Sequence, residues 1–211
     1  MPPAPKKAEL EDDDLSVKQF VTVFRERELL PWYLVIVVNM FMVGILFGFL
    51  PVYVHSLGYG QLTNGMIMGT AAASYLLIQP FAGRLADTVS PVRIILVGLV
   101  LSAAALLLVP FTAGAALLGV VIAGGFGVGT VWTNTDALVS NLAQQGRLAA
   151  TLGAAGSFKE LGDMLGPLLI GILSQAFGLK VGFISCGILG LCTIPLLRAT
   201  KKQANAASFQ Q

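Results

Sequence analysis

Three charged residues lie in the middle of a long apolar stretch in the C-terminal part of the chain. Lys159, Glu160 and Asp163 interrupt residues 148–176, which otherwise carry mostly aliphatic and small side chains. Lys159 and Asp163 are four residues apart, so on a helix they share a face and can pair. A carboxylate in an apolar cavity gains proton affinity, which suits exchange with a pH gradient. The cluster therefore predicts proton coupling or solute binding, and a structural ion pair near the cytoplasmic end is the alternative.

The chain has six long hydrophobic runs, and the three charges lie in the fifth of them. Of the 211 residues, 55% are hydrophobic and 11% are charged, whereas soluble domains carry roughly 25% charged residues. A helix crosses a bilayer with about 20 apolar residues, and the backbone in hydrocarbon must satisfy its own hydrogen bonds. The sequence predicts an all-α integral membrane protein, a bundle of six transmembrane helices near 31–54, 61–82, 92–110, 114–138, 148–176 and 180–198.

Polar residues are spread unevenly over the six runs. Outside the fifth run, the candidate cavity-lining residues lie in three runs. The first contains Asn39, the second contains Tyr75 and Gln79, and the fourth contains Trp132, Asn134 and Asp136. Because polar groups in lipid turn toward the bundle interior or a wet cavity, runs one, two, four and five are predicted to line a path, and runs three and six to support them. Four of these residues have an alternative, structural role. Trp132 could pack against neighbouring helices, Asn39 and Gln79 could hydrogen-bond between helices, and Asp136 could lie at a solvated helix end.

The positions of the basic residues predict the orientation. All of them except Lys159 and Lys180 fall at the termini or in loops on one side of the predicted bundle. Lys and Arg accumulate on the cytoplasmic side, so both termini are predicted to be cytoplasmic in a multi-pass protein of the cytoplasmic (inner) membrane. The basic residues are accounted for by this topology, and no nucleic-acid partner is predicted.

The chain divides into three parts. Residues 1–30 read as a cytoplasmic linker in which Leu15–Leu30 sets apolar residues at three- and four-residue steps among charges, as an interfacial helix does. Residues 31–198 form the transmembrane domain, and 199–211 form a cytoplasmic tail. No nucleophile triad, metal-ligand spacing or phosphate-binding loop is present, so we predict neither an enzyme nor a bound metal or cofactor.

The segment between the second and third runs reads GRLADTVSPVR and begins at Gly83. It resembles the G-x-L-A-D-R-x-G-R-K signature of the major facilitator superfamily, and Asp87 takes the place of the acidic residue. The second half departs from the signature and retains Arg93. The resemblance implies that Gly83, Asp87 and Arg93 belong to a loop that gates the cytoplasmic side. An Asp at the start of a helix can also accept backbone N–H bonds.

A glycine and proline pattern in the fifth run carries a second resemblance to this superfamily. Gly153, Gly162, Gly166 and Pro167 follow the pattern of its fifth and eleventh helices. Glycines four residues apart allow another helix to approach closely, and a proline frees a backbone carbonyl and permits a bend. These four residues are therefore predicted to serve helix packing in a bundle that rocks.

Two further details indicate which half of the superfamily fold the chain resembles. The N-terminal half usually carries an Arg four residues before a Gly-x-Gly in its fourth helix, whereas Ala123 stands there before Gly127 and Gly129. FKELG at 158–162 resembles a run common in the eleventh helix. Residues 31–198 are thus similar to the C-terminal six-helix half.

The resemblance implies secondary active transport of a small organic solute by alternating access, with proton-coupled efflux favoured over uptake by the glycine and proline pattern. A complete unit would have twelve helices, so the expected partners are the lipid bilayer, the solute, and an N-terminal six-helix half or a second copy. Two alternatives stay open. The chain could be a membrane subunit or isolated half that does not transport, or a homodimeric six-helix transporter.

Overall fold

The computed structural model describes residues 22–24, 26–144 and 146–208, without the side chains of 196 and 198–208. Within these residues all regular structure is helical, which confirms the all-α prediction. Six long helices follow one another: α1 Leu30–Ser56, α2 Gln61–Thr88, α3 Pro91–Leu108, α4 Gly114–Leu142, α5 Leu148–Phe177 and α6 Leu179–Ser208.

Four of these helices, α1 to α4, are long and apolar enough to cross a membrane by length and composition. In α5, the three charges at Lys159, Glu160 and Asp163 interrupt the apolar sequence. The apolar part of α6 is the shorter segment Leu179–Pro195, after which the helix continues to Ser208. The last helix therefore runs beyond the predicted boundary at residue 198.

A local irregularity divides α1. Its α-helical parts Leu30–Gly44 and Leu50–Ser56 are joined by a π-helical turn, Ile45–Phe49. Pro51 has no N–H, and its ring crowds the carbonyl four residues earlier, that of Phe47. The Leu50 N–H donates to the Ile45 carbonyl, a bond one residue longer than in an α-helix. Phe47, in the middle of this turn, contributes to the cleft described below.

Glycines allow α4 to pack closely between α2 and α3. A Cβ at Gly129 would lie 2.5 Å from the carbonyl oxygen of Tyr75 on α2, and one at Gly127 would lie 2.7 Å from the Cα of Ser102 on α3. Real Cβ atoms do not approach backbone so closely, so these contacts require glycine. The resulting proximity brings the side chains of α2 and α4 together at mid-bundle.

Helix α5 packs on α1 in a similar way, and α6 closes the bundle against α3, α5 and α1. A Cβ at Gly162 would lie 2.6 Å from the Cβ of Met40, and one at Gly166 would lie 3.1 Å from the Cα of Phe41. Gly153, in contrast, is exposed near the start of α5. Two of the predicted packing glycines thus lie at the α1–α5 contact.

The predicted gating loop has a different local structure from the one expected. Gly83 and Asp87 belong to the last turns of α2, which continues to Thr88, and Arg93 lies in the first turn of α3. Asp87 is exposed, and Ser90 at the start of α3 makes no side-chain cap. Asp87 therefore lies in the last turn of α2 rather than in a loop, because this helix runs beyond its predicted end at residue 82, and the gating role of Asp87 stays a prediction.

The segment before α1 is held against the α4–α5 end of the bundle. Arg147 Nη1 lies 3.2 Å from Glu26 Oε1, and the ring of Phe158 stacks on that of Tyr33 with centroids 4.6 Å apart. Phe24 joins the same aromatic cluster. Half of the predicted interfacial helix Leu15–Leu30 lies outside the described residues, as does the linker that precedes it.

Candidate transport site

A cleft of about 410 Å³ opens at mid-bundle between α1, α2, α4 and α5. Its lining comes from these four helices and from none of the described residues of α3 or α6: Met40, Val43, Phe47, Ala72, Tyr75, Leu76, Trp132 and Asp163. These are the four helices in which the sequence concentrates polar residues. The volume falls within the range of pockets that bind small organic molecules.

Aromatic rings form the wall of the cleft. The Tyr75 and Trp132 rings meet edge to face with centroids 6.2 Å apart, and the Phe47 and Tyr75 rings do so at 5.9 Å. Edge-to-face contacts of this kind stabilise ring pairs beyond their buried area. The π-helical turn of α1 places Phe47 in this row. Together the three rings present a rigid apolar surface to the cleft.

Asp163 supplies the charge of the cleft lining. It lies near the middle of α5, its side chain is exposed, and within the ranges that the structure describes it has no ion-pair partner. A charge at this depth is costly if it faces hydrocarbon. The position therefore requires water, a solute or another protein surface beside α5.

Lys159 pairs with α4 rather than with its own helix. Its Nζ lies 2.6 Å from Asp136 Oδ2 and 4.4 Å from the centroid of the Trp132 ring. The predicted pair of Lys159 and Asp163 is therefore wrong for this conformation. The reason is tertiary: Asp136 and Trp132 lie one turn apart on α4 and offer the ammonium a carboxylate and an aromatic face together.

We expect loss of either partner of this ion pair to destabilise the protein more than loss of both. The side chains of Lys159 and Asp136 are 23% and 35% exposed, so Lys159→Met or Asp136→Asn leaves a half-buried group unpaired, at a cost of about 2 kcal/mol. The double variant should recover most of the loss. Thermal unfolding of the four proteins in detergent measures this, and additive losses would show that the pair has no mutual stabilisation.

Four further residues were predicted for the site, three as cavity-lining residues and Glu160 as a coupling residue. Asn39 is buried and donates through Nδ2 to the Val128 carbonyl at 3.4 Å. Asn134 is buried and donates to the Thr130 carbonyl of its own helix at 2.8 Å. Gln79 is half-buried on α2, one turn beyond Tyr75, and Glu160 is exposed on α5. None of the four lines the cleft itself.

The sequence did not predict five of the lining residues: Met40, Val43 and Phe47 on α1, and Ala72 and Leu76 on α2. Phe47 and Met40 lie on α1, whose apolar side chains do not distinguish the cleft from the core. The signal that could have found Phe47 is Pro51, because a proline inside a membrane helix disturbs the turn before it. Met40 has no comparable signal.

The cleft borders an apolar face that the described part of the chain leaves uncovered. On α2, Leu76, Leu77 and Phe81 are each more than half exposed, as are Met164, Leu168 and Ile172 on α5. A membrane helix can face lipid with such residues. The Asp163 carboxylate lies among these apolar side chains, however, and lipid tails offer it neither a hydrogen bond nor an opposite charge.

A six-helix membrane bundle with a cleft between four helices and an open side corresponds to one half of a transporter fold. The Major Facilitator Superfamily model matches residues 32–210, and the chain belongs to that family of transporters.

Individual relatives agree with this assignment. The chain is 27% identical over 175 residues to the quinolone resistance protein NorA of Staphylococcus aureus, covering 80% of this chain and 44% of that protein. It is 28% identical over 156 residues to an uncharacterized MFS-type transporter of Methanocaldococcus jannaschii, covering 72% of this chain and 40% of the relative. The chain thus spans less than half the length of these relatives.

Solved structures show the same fold. The peptide transporter POT, in a mutant form with bound sulfate, superposes with a TM-score of 0.76 at 22% identity. The match covers 83% of this chain and 38% of that one. The prediction of a half major facilitator fold is confirmed.

Proposed function

We propose that the protein exports a small organic solute across the cytoplasmic membrane in exchange for protons, by alternating access, as one half of a twelve-helix unit. The observation that carries the proposal is the cleft: an aromatic pocket with one carboxylate, at mid-bundle, open on the side where α2 and α5 expose their apolar faces. Solutes bind at this level between the two halves of such transporters.

The cleft chemistry favours a solute with an apolar body and a positive charge. Phe47, Tyr75 and Trp132 offer ring surface, and Asp163 offers a negative charge. Aromatic faces and a carboxylate both attract organic cations. Lys159 does not reverse this preference, because Asp136 neutralises it at 2.6 Å.

Asp163 also suits proton exchange. A proton and a cationic solute compete for one carboxylate, so binding of either releases the other. An inward proton gradient then drives the solute outward. The similarity to a protein named for quinolone resistance supports export of a drug-like molecule.

A second six-helix unit, either an N-terminal half or a second copy of this chain, is proposed to cover the open side. The uncovered α2 and α5 faces are largely apolar, and Asp163 lies between them. A second helical wall satisfies both observations, since it covers the apolar faces and encloses water or solute around the carboxylate.

Flux in everted membrane vesicles tests this function. Vesicles from cells with the gene intact and from cells with it deleted are given an acid interior while the membrane potential is clamped at zero. We expect vesicles from the intact strain to accumulate more tetraphenylphosphonium than vesicles from the deleted strain. Tetraphenylborate, an anion of the same shape, should accumulate to the same level in both. Equal accumulation of the cation in both strains would favour a subunit that does not transport.

A further inference from the structure

A second, much smaller cavity adjoins Trp132 and Met40, which also line the open cleft. Its volume is about 10 Å³, which is roughly the room that one water molecule needs. Among the residues around it, Asn39, Thr135, Asp136 and Lys159 are polar. Helices α1, α4 and α5 thus share a small cavity beside the Lys159–Asp136 pair, with mostly apolar surface and these four polar residues in its lining.

Two of the residues that line this cavity carry a buried oxygen atom without a hydrogen-bond partner among the described residues. These atoms are Asn39 Oδ1 and Thr135 Oγ1, and both residues are 1% exposed. Asn39 donates its Nδ2 to the Val128 carbonyl, so its acceptor end is the one that needs a partner. A buried polar atom without a partner is unfavourable, and the described part of the protein offers none here.

The chemistry of the cavity selects a neutral donor. Asn39 Oδ1 can only accept, whereas the Thr135 hydroxyl can donate and accept. A metal cation is disfavoured, because the Lys159 ammonium already lies 2.6 Å from Asp136 Oδ2 and supplies the positive charge. One water molecule can donate to Asn39 and bond the Thr135 hydroxyl, with the ion pair beside it as a further partner.

We propose that a single buried water bridges Asn39 on α1 and Thr135 on α4 and holds the Lys159–Asp136 pair in place. Asn39 and Thr135 are then positioning residues for the Lys159 ammonium, which lies 4.4 Å from the Trp132 ring centroid. Without this link Lys159 is free to turn toward Asp163, four residues along the same helix. The assignment does not depend on which solute the cleft binds.

The fluorescence of Trp132 reports where the ammonium lies. These 211 residues contain two tryptophans, so Trp32→Phe leaves Trp132 as their single indole, and any tryptophan outside them is replaced by phenylalanine as well. In that background Lys159→Met gives the spectrum without the cation. We expect Thr135→Val, which keeps the side-chain shape but removes the hydroxyl, to produce at least half of the intensity change of Lys159→Met. Thr135→Ser restores the hydroxyl and should retain the parent spectrum.

Thr133→Val is the matched control, because Thr133 Oγ1 is also buried without a described partner on α4 but does not line this cavity. It should leave the emission unchanged. A parent-like spectrum for Thr135→Val, or an equal change for Thr133→Val, would overturn the proposal.

If Thr135→Val does not fold, Asn39→Leu applies the same test from α1. If neither folds, density for a water within hydrogen-bonding distance of Asn39 and Thr135 in a high-resolution structure supports the proposal, and clear density without it overturns it.

Discussion

Asp163→Asn is expected to reduce proton-driven solute accumulation to the level of the gene-deleted strain while the protein still inserts into the membrane. The carboxylate lines the aromatic cleft and has no ion-pair partner in the described ranges. The amide keeps its size but can neither release a proton nor hold a cation. The measurement is pH-driven accumulation of tetraphenylphosphonium in everted vesicles from a strain with the chromosomal substitution.

Asp163→Glu serves as the control, because it retains the carboxylate in a slightly different position. It should keep measurable coupling, and immunoblots should show both variants at parental levels in the membrane. Full coupling in the Asn variant would remove Asp163 from the mechanism, whatever its position in the cleft.

Gly127→Ala should destabilise the folded bundle by about 3 kcal/mol, through overpacking of two helices. The added Cβ would lie 2.7 Å from the Cα of Ser102 on α3 and would also clash with its backbone nitrogen, and backbone atoms cannot rotate away as a side chain can. Helices α3 and α4 must therefore separate along their contact. The loss is measured as the fall in thermal unfolding temperature of the purified protein in detergent.

Gly119→Ala on the same helix is the matched control. A Cβ there has nothing within 4 Å, and alanine is a better helix former than glycine. This variant should be as stable as the parent or more so. Equal losses in the two variants would mean that α4 responds to the added methyl group itself rather than to contact with α3.

The sequence was sufficient for the class of fold because its strongest signals are local. Each helix carries its own apolar run, and the cost of polar groups in lipid assigns the interior faces. For the same reason Tyr75, Trp132 and Asp163 could be singled out by residue type and position within their apolar runs. The spacing of Gly162 and Gly166 likewise indicated a close helix contact, which α1 provides through Met40 and Phe41.

Interactions between helices could not be predicted in the same way. Lys159 and Asp163 satisfy the spacing of a helical pair, yet Asp136 is 23 positions away in sequence and bonds the lysine instead. Helical spacing predicts contacts between residues of the same helix only, so it could not predict that Lys159 on α5 pairs with Asp136 on α4. The row of rings formed by Phe47, Tyr75 and Trp132 similarly depends on the π-helical turn and on how α1, α2 and α4 cross.

Water access to the cleft is the property on which the proposed transport site depends. Leu76 and Leu77 are neighbours on α2 and are similarly exposed, at 61% and 63%, but only Leu76 lines the cleft. In a background without Cys186 and Cys192, single cysteines at the two positions are treated in membranes with a charged, impermeant thiol reagent. We expect Leu76→Cys to be labelled and to be protected by tetraphenylphosphonium, while Leu77→Cys is not labelled. If neither cysteine reacts, or if both react alike without protection, the cleft is not an aqueous solute site and the proposed function is contradicted.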